Sequence, residues 1–230
     1  MNKILTTTLV ILISITGAKA LERSDFSVTA GIAANTAVYG ASAKETNYND
    51  TNVVSHIKKE SGVFTDTHSS GFIELNAGEY ISFGYEHTPD SISTPENKSR
   101  EGTDAESKVS VDFNDLNIAY LKVNIPGGIY LKAGYVETDL DIKETTHSGN
   151  TYKNVSTEGT LYGLGYNRFI GDSAVSIRVE GSYMSLDDVS TDNGVSTTGA
   201  TVANGGRNQI DASNLEGLNG KLALTYTFGK

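Results

Sequence analysis

The sequence predicts an all-β protein, an eight-stranded antiparallel up-and-down transmembrane β-barrel with short periplasmic turns and four long external loops. Three observations lead to this prediction. Apolar and polar residues alternate with a period of two in eight segments, the connections between those segments alternate between long and short, and the chain begins with the layout of a secretory signal peptide. Together they indicate strands that cross a lipid bilayer outside the cytoplasm.

The first residues have the three parts of a signal peptide. Lys3 gives a basic start, Ile4–Ile15 is apolar, and Ala18-Lys19-Ala20 is a small-x-small cleavage site. The apolar part is shorter than the roughly 20 residues that a spanning helix needs. We therefore expect residues 1–20 to be a signal peptide and residues 21–230 to form one outer-membrane β-barrel domain.

Composition excludes several functions. The chain has 18 Lys and Arg against 28 Asp and Glu, a formal net charge of −10. This charge argues against nucleic-acid binding, because the phosphates of nucleic acids bind to basic surfaces. It has no cysteine, so it forms no disulfide, no thiolate metal site and no cysteine-linked lipid anchor. Beyond residue 20 the longest apolar run is Ile118–Leu121, so only strands could cross a membrane. No cofactor is expected.

Period-two alternation is clearest at the carboxyl end. In KLALTYTFGK, Leu222, Leu224, Tyr226 and Phe228 are apolar, and the residues between them are small or polar. This pattern predicts a strand with one apolar face. The other segments that show it, the second and fourth less cleanly, are in order FSVTAGIAAN, GFIELNA, YISFGYEH, VSVDFNDLNIAYLKVNI, IYLKAGY, TLYGLGYNR and AVSIRVEGSYMS.

The connections alternate between long and short along the whole chain. Their approximate bounds are 40–68, 76–79, 88–108, 126–128, 144–157, 169–173 and 188–213. All three prolines, Pro89, Pro95 and Pro126, fall in connections, as an uninterrupted sheet requires. Short periplasmic turns and long external loops are typical of outer-membrane barrels, and an even strand number places both termini in the periplasm. We therefore expect an integral protein of the bacterial outer membrane.

The polar face of each strand is expected to point into the lumen. An eight-stranded barrel encloses little more than side chains, so charges of both signs at strand centres suit a lumen filled by paired side chains. The predicted lumen network is Glu74, Glu86, Lys132, Arg178, Glu180 and Lys221. The alternative is a soluble sandwich or lipocalin-like barrel, in which the apolar face would point inward.

Many tyrosines lie near predicted strand ends, where amphipathic rings suit the aromatic girdles of a membrane barrel. They are Tyr80, Tyr130, Tyr135, Tyr162, Tyr183 and Tyr226. The β-propensity of tyrosine is the alternative explanation.

The signal sequence, the eight strands, the alternating connections and the closing LALTYTF together resemble small bacterial outer-membrane β-barrels. This group includes the membrane domain of outer-membrane protein A and the opacity-type, porin-like surface proteins. The last strand is also similar to the assembly signal that the outer-membrane insertion machinery reads. The resemblance implies that Leu222, Leu224, Tyr226 and Phe228 face lipid and that Phe228 is the signal's terminal aromatic, although Gly229 and Lys230 follow it.

We expect a plugged barrel that lies among lipid and lipopolysaccharide. It would act through its external loops, in envelope structure, adhesion or contact with a partner or phage. A monomer is expected because a closed barrel has no free edge to pair. The first alternative is a narrow small-solute porin, which ten strands would favour if part of 52–68 formed an extra pair.

The second alternative is a lipid A-modifying enzyme, since some barrels of this group combine His, Ser and an acid near the outer rim. The histidines His56, His68, His87 and His147 all lie in or beside predicted loops. The candidates would be His68 or His87 with Glu86. We predict no catalytic residues. A His and a Ser that are adjacent along a strand point to opposite faces, so their adjacency in the sequence does not make them a catalytic pair. We predict no metal site either, because the acidic loops lack the spacing of a calcium loop.

Overall fold

The computed structural model describes residues 25–49, 51, 53–101, 105–145, 151–194 and 207–229. The expected signal peptide and the loop segments 146–150 and 195–206 lie outside these residues. In the described part of the chain, no helix is long and apolar enough to cross a membrane.

The described residues form eleven strands in one antiparallel sheet. The strands are β1 Phe26–Tyr48, β2 Val54–Ala77, β3 Ile81–Thr88, β4 Ile92–Ser93, β5 Asn97–Glu101, β6 Ala105–Asn124, β7 Ile129–Thr145, β8 Val155–Phe169, β9 Val175–Leu186, β10 Val189–Asp192 and β11 Asn208–Phe228. Eight of them close into a ring in the order β1-β2-β3-β6-β7-β8-β9-β11, with β11 paired to β1. The short strands β4 and β5 pair with β6, and β10 pairs with β11. The prediction of an eight-stranded up-and-down barrel is confirmed.

The three short turns lie at the same end of the ring as both strand termini, Phe26 and Phe228. The turn between β6 and β7 contains Gly127 and Gly128 at φ of 95° and 93°, values that favour glycine because a Cβ would be strained there. In the up-and-down arrangement this end is the periplasmic one.

The long connections are shorter than the sequence suggested, because the strands continue beyond the apolar part of the barrel. β1 and β2 remain paired from Phe26↔Ala77 to Asn47↔His56, so only residues 49–53 join them. The segment 54–68 is therefore the outer half of β2 and forms no extra pair. The β2 extension carries polar residues such as Lys58 and Lys59 on both faces, and that composition looks like a loop.

Two β-bulges with a non-glycine residue at positive φ interrupt the ring, and a further register shift lies at the external end of the β1–β2 pair. Asp115 in β6 and Asn214 in β11 adopt positive φ, 49° and 53°, and the pairing register shifts by one residue beside each. One extra residue in a strand reverses which positions face inward. In β6, Leu116 and Ile118 face the lumen on one side of the bulge, whereas Phe113 and Val111 face it on the other.

The outer surface of the ring is apolar and the interior is polar around mid-barrel. Leu164 is 58% exposed on the outer face, whereas Glu74 is 1% exposed inside. Each ring strand contributes to an apolar belt, defined here by Ile32, Val38, Ile73, Leu75, Tyr85, Val123, Ile129, Leu131, Tyr162, Leu164, Ile177, Val179, Leu218, Leu222 and Leu224. A soluble protein places its charges outside and its large apolar residues inside. The observed inversion is that of a lipid-embedded barrel and rules out the soluble alternative.

Candidate functional site: the barrel lumen

Glu74 on β2 is the centre of one charged cluster in the lumen. Arg178 on β9 donates two hydrogen bonds to it, from Nη1 to Oε1 and from Nη2 to Oε2, each 2.6 Å long. Lys122 Nζ lies 2.6 Å from Oε2, and the Tyr120 hydroxyl donates to Oε1 at 2.9 Å. Two cations and a hydroxyl therefore satisfy this carboxylate without water.

Glu86 on β3 and Glu180 on β9 form a second cluster. Lys221 Nζ lies 2.6 Å from both oxygens of Glu86, and Lys132 Nζ lies 3.0 Å from Glu86 and 3.2 Å from Glu180. The Tyr130 hydroxyl donates to Glu180 at 2.8 Å. Lys132 Nζ also lies 4.1 Å from the centre of the Tyr120 ring, which connects the two clusters.

Together the two clusters form a side-chain network across the lumen, here called the plug. Its members are Glu74, Glu86, Tyr120, Lys122, Tyr130, Lys132, Arg178, Glu180 and Lys221, all of them buried. They come from six of the eight ring strands, β2, β3, β6, β7, β9 and β11. The plug holds four cations and three carboxylates, so nearly every charge is compensated at short range.

All six residues of the predicted lumen network lie in this plug. Sequence reasoning missed Lys122 and Tyr120, because the bulge in β6 blurs the alternation of that strand. Tyr130 was expected at an aromatic girdle, and this was wrong: its side chain points inward and is 1% exposed. The signal that could have found it is its cross-strand partner Gly165, which leaves room for a ring.

Tyr130 and Gly165 exemplify a repeated pairing of aromatic residues with inward-facing glycines. The pairs, each between directly opposed residues of neighbouring strands, are Gly31 with Phe72, Gly84 with Tyr120, Gly165 with Tyr130, and Gly217 with Tyr39. A Cβ at any of these glycines would overlap or crowd the partner ring. Alternation of glycine and aromatic residues therefore lets large rings fill a narrow lumen.

On the periplasmic side of the plug the lumen is lined by small polar side chains. Thr29 and Thr227 hydroxyls lie 2.9 Å apart, and Ser82 donates to Asn76 at 2.7 Å. Asn167 accepts a hydrogen bond from Ser176 at 2.7 Å. These residues fill the lumen between the plug and the short turns.

On the external side of the plug the lumen becomes apolar. A buried cluster packs there, made of Ala37, Tyr39, Ile92, Leu116, Ile118, Tyr120, Val136, Leu161, Met184, Leu186 and Leu215. The sequence-based expectation of a polar lumen throughout was wrong in this half. Asp115 and Asn214 account for part of the difference, since the bulges turn apolar positions of β6 and β11 inward.

Above this cluster the extended strands enclose a cavity of about 370 Å³, here called the external chamber. Apolar side chains line its lower part, among them Val111, Phe113, Leu140, Ala212 and Leu215. Polar side chains line its outer rim, among them Glu45, Asn47, Lys58, Glu60, Asn97 and Asn208. The chamber is thus apolar in its lower part and mixed at its outer rim, where Val109 and Ile210 lie among the polar side chains.

The rim carries a compact ion pair. Lys58 Nζ lies 2.6 Å from Glu60, and the hydrogen bond between them keeps the pKa of the Glu60 carboxyl below its usual value. Asn97 on β5 also donates to Glu60, across the gap between β2 and β5. Glu60 therefore stays ionised and connects β2 to β5 in the chamber wall.

Among the described residues, neither of the candidate histidines, His68 and His87, is hydrogen-bonded to Glu86. His87 lies on the outer face with its Nδ1 2.8 Å from Asn117, whereas Glu86 points into the lumen. His68 lies inside the barrel, 3.3 Å from Asp66. Lys132, Lys221 and Ser70 occupy both oxygens of Glu86.

His147 lies outside the described residues. Within those residues no cluster of three or more His, Cys, Asp or Glu side chains could hold a metal ion.

The fold is similar to known outer-membrane proteins. The outer-membrane protein OprG from Pseudomonas aeruginosa matches with a TM-score of 0.55 at 10% identity, over 84% of this chain and 95% of OprG. Outer-membrane protein AlkL, solved in lipid bilayers, matches at 0.46 and 14% identity over 92% of this chain and 94% of its own. The outer-membrane protease OmpT from Escherichia coli matches at 0.42 and 13% identity, over 92% and 99%.

Neither a protein-family profile nor a curated sequence matches the chain. The fold is nevertheless that of the small integral β-barrels of the bacterial outer membrane. This fold and the apolar belt around all eight ring strands together define an integral outer-membrane β-barrel protein.

Proposed function

We propose that this protein is an outer-membrane barrel with a lumen closed to water-soluble solutes, which acts on the external side through its strand extensions and loops. The observation that carries the proposal is the plug. Six ring strands contribute charged or phenolic side chains that bond to one another across the lumen. An eight-stranded barrel has no space for an aqueous path beside them.

The strand extensions support an external role. On β1 the last large apolar residue of the outer face is Val38, and the strand continues for ten residues to Tyr48. At about 3.3 Å per residue this segment is about 33 Å long. Loops held on such an extended sheet are presented at a distance from the lipid, and binding residues are frequent on loops that a rigid scaffold positions. Contact with an external partner, as in adhesion or phage attachment, is the role that this design favours.

The alternatives receive less support. A porin requires a continuous polar path, which the plug and the apolar cluster above it interrupt. An enzyme acting on lipid A would need a His and an acid in contact, yet His87 and Glu86 lie on opposite faces of β3, and His68, which faces the lumen, is hydrogen-bonded to Asp66 and not to Glu86. We therefore propose a non-enzymatic protein.

The last strand supports assembly by the outer-membrane insertion machinery. Leu222, Leu224, Tyr226 and Phe228 are between 47% and 57% exposed on the outer face of β11. They form the kind of apolar, aromatic-ended face that such machinery would read. We propose that this strand is the assembly signal and that the mature protein is a monomer.

The test is conductance in a planar lipid bilayer. The refolded protein, shown to be inserted by its heat-dependent migration on a gel, is expected to add no steady conductance. The control is a Glu86→Ala, Glu180→Ala double variant, which removes two of the plug's carboxylates and is expected to raise current noise or open events. Stable ohmic steps from the unaltered protein would contradict a closed lumen.

A further inference from the structure

The external chamber has the size and chemistry of a small-molecule site, and no part of the proposed function yet uses it. Its volume of about 370 Å³ lies within the range of about 300–1,000 Å³ that is usual for such sites. We infer that the chamber binds a small amphiphile from the external side: an apolar body below and an uncharged polar head at the rim. This inference rests on the proposed external role and names a ligand class for it.

The lower part of the chamber selects the apolar body. Val111, Phe113, Leu140, Val155, Ala212 and Leu215 line it, and none of these side chains carries a polar group. A polar ligand atom there would lose its hydrogen bonds to water and gain none. An apolar body would instead be removed from water by walls that are already in place.

The rim of the external chamber determines which polar head group the ligand can have. Two carboxylates, Glu45 and Glu60, line it with one lysine, Lys58, which opposes Glu45 on the neighbouring strand and lies 2.6 Å from Glu60. Two negative charges against one positive charge disfavour an anionic head. The amide side chains of Asn47 and Asn208 offer donors and acceptors, so a hydroxyl or similar neutral group fits the rim.

Among the described residues, the floor closes the chamber towards the plug. Tyr39, Met184 and Leu215 belong to the buried cluster that separates the chamber from the plug. A ligand would thus enter and leave on the external side or along the chamber wall, without reaching the periplasm.

The absence of tryptophan from the chain allows a direct test. A single Phe113→Trp substitution places a fluorescent reporter in the chamber, and Tyr162→Trp places one in the lipid-facing belt as a matched control. The mature protein is reconstituted in lipid nanodiscs and titrated with 10-bromodecan-1-ol, whose bromine quenches tryptophan at short range. We expect saturable quenching at position 113 and only a linear partitioning signal at position 162.

Two further experiments test whether the ligand lies in the chamber and which head group the rim prefers. Ala212→Phe in the Phe113→Trp background fills the chamber and should weaken the apparent affinity at least tenfold; Ala41→Leu serves if that variant does not fold. 10-Bromodecanoic acid at neutral pH should bind at least fivefold more weakly than the alcohol. Linear quenching at both positions, or no effect of the filling variant, would overturn the inference, and equal binding of acid and alcohol would overturn the assignment of the head.

A last arm identifies the source of the apolar body. Nanodiscs made with brominated-chain phosphatidylcholine report whether a lipid chain enters the chamber: quenching at position 113 comparable to that at position 162 would assign the bilayer as the source. No such quenching, with saturable binding of the alcohol, would assign a free amphiphile. None of these signals depends on ion flow through the plug, so failure here and failure of the closed lumen are separate results.

Discussion

Glu74 shows how a charge can be kept inside a membrane barrel. It is 1% exposed, and its two oxygens receive four hydrogen bonds from Arg178, Lys122 and Tyr120. Burying ions is costly, and the cost is offset only when partners and geometry are complete. Removing one member should therefore be far more harmful than its own interaction energy suggests, because the partners remain buried without compensation.

Glu74→Ala is expected to destabilise the folded barrel by about 3–5 kcal/mol, since it leaves Arg178 and Lys122 without their carboxylate. The measurement is the urea concentration at which the heat-modifiable gel band is half lost. Glu79→Ala, in an exposed turn, is the matched control and should shift stability by less than about 0.5 kcal/mol. Equal effects of the two substitutions would contradict the structural role of the plug.

The glycine–aromatic pairs make a second prediction at the residue scale. Gly165→Ala should cost about 1–3 kcal/mol, because the new Cβ would overlap the Tyr130 ring. Gly163→Ala, two residues earlier on the same face of β8, should cost less, because its Cβ would meet neighbours at ordinary contact distances of 3.4 Å. Thermal midpoints of the gel shift give the comparison, and a larger loss at position 163 would show that the lumen is packed differently.

At the scale of the element, β6 and β11 differ from the other described ring strands in having a bulge with a non-glycine residue at positive φ. A positive φ is unfavourable for residues with a Cβ, least so for Asn and Asp, and most so for β-branched side chains. The sequence places Asp115 and Asn214 at these two positions. The local chemistry thus supports the reversal of face that lines the chamber with apolar side chains.

Asn214→Val should therefore destabilise the barrel by about 1–2 kcal/mol, whereas Asn214→Gly should be neutral or slightly stabilising. Both substitutions remove the same carboxamide, so the difference between them isolates the backbone conformation. Urea midpoints of the two variants measure it. If Val were tolerated as well as Gly, the bulge would not be located at this residue.

The bulges also show which feature of the barrel could not be predicted from the sequence, namely which face of β6 points inward beyond Asp115. Alternation identified all eight ring strands and six residues that meet in the plug, because lipid imposes a strict period of two. In β6, however, Val111 and Phe113 have the same odd parity as Leu121 and Val123, and alternation would place all four on one face. The backbone conformation at Asp115 turns Val111 and Phe113 to the inner face. A change of one φ angle does not alter the alternation pattern of the sequence, so the pattern could not predict it.

Loop bounds were the second element-level error, and they have a related cause. Outside the belt the outer face of a strand meets water, so in β2 polar residues such as Lys58 and Lys59 no longer alternate with apolar ones. A hydrogen-bonded extension and a polar loop then look alike in composition. The pairing of β1 with β2 up to Asn47 could be seen only in the structure.

At the scale of the whole molecule, the barrel interior has a fixed order along its axis. Small polar side chains lie at the periplasmic end, the charged plug follows, and an apolar cluster separates the plug from the external chamber. The belt outside faces lipid, and the extensions beyond it face water. This order supports the proposed closure at the middle of the barrel and the proposed binding at its external end.

The most direct test of this account is the accessibility of the two ends of the barrel on intact cells. The chain has no cysteine, so Ser61→Cys on the β2 extension and Asp172→Cys in the turn between β8 and β9 each provide one reactive thiol. Cells are treated with a maleimide-polyethylene glycol too large to cross the outer membrane, and labelling is read as a gel shift. We predict labelling at position 61 on intact cells and at position 172 only after permeabilisation. Labelling of position 172 on intact cells, or protection of position 61, would contradict an outer-membrane barrel with external strand extensions.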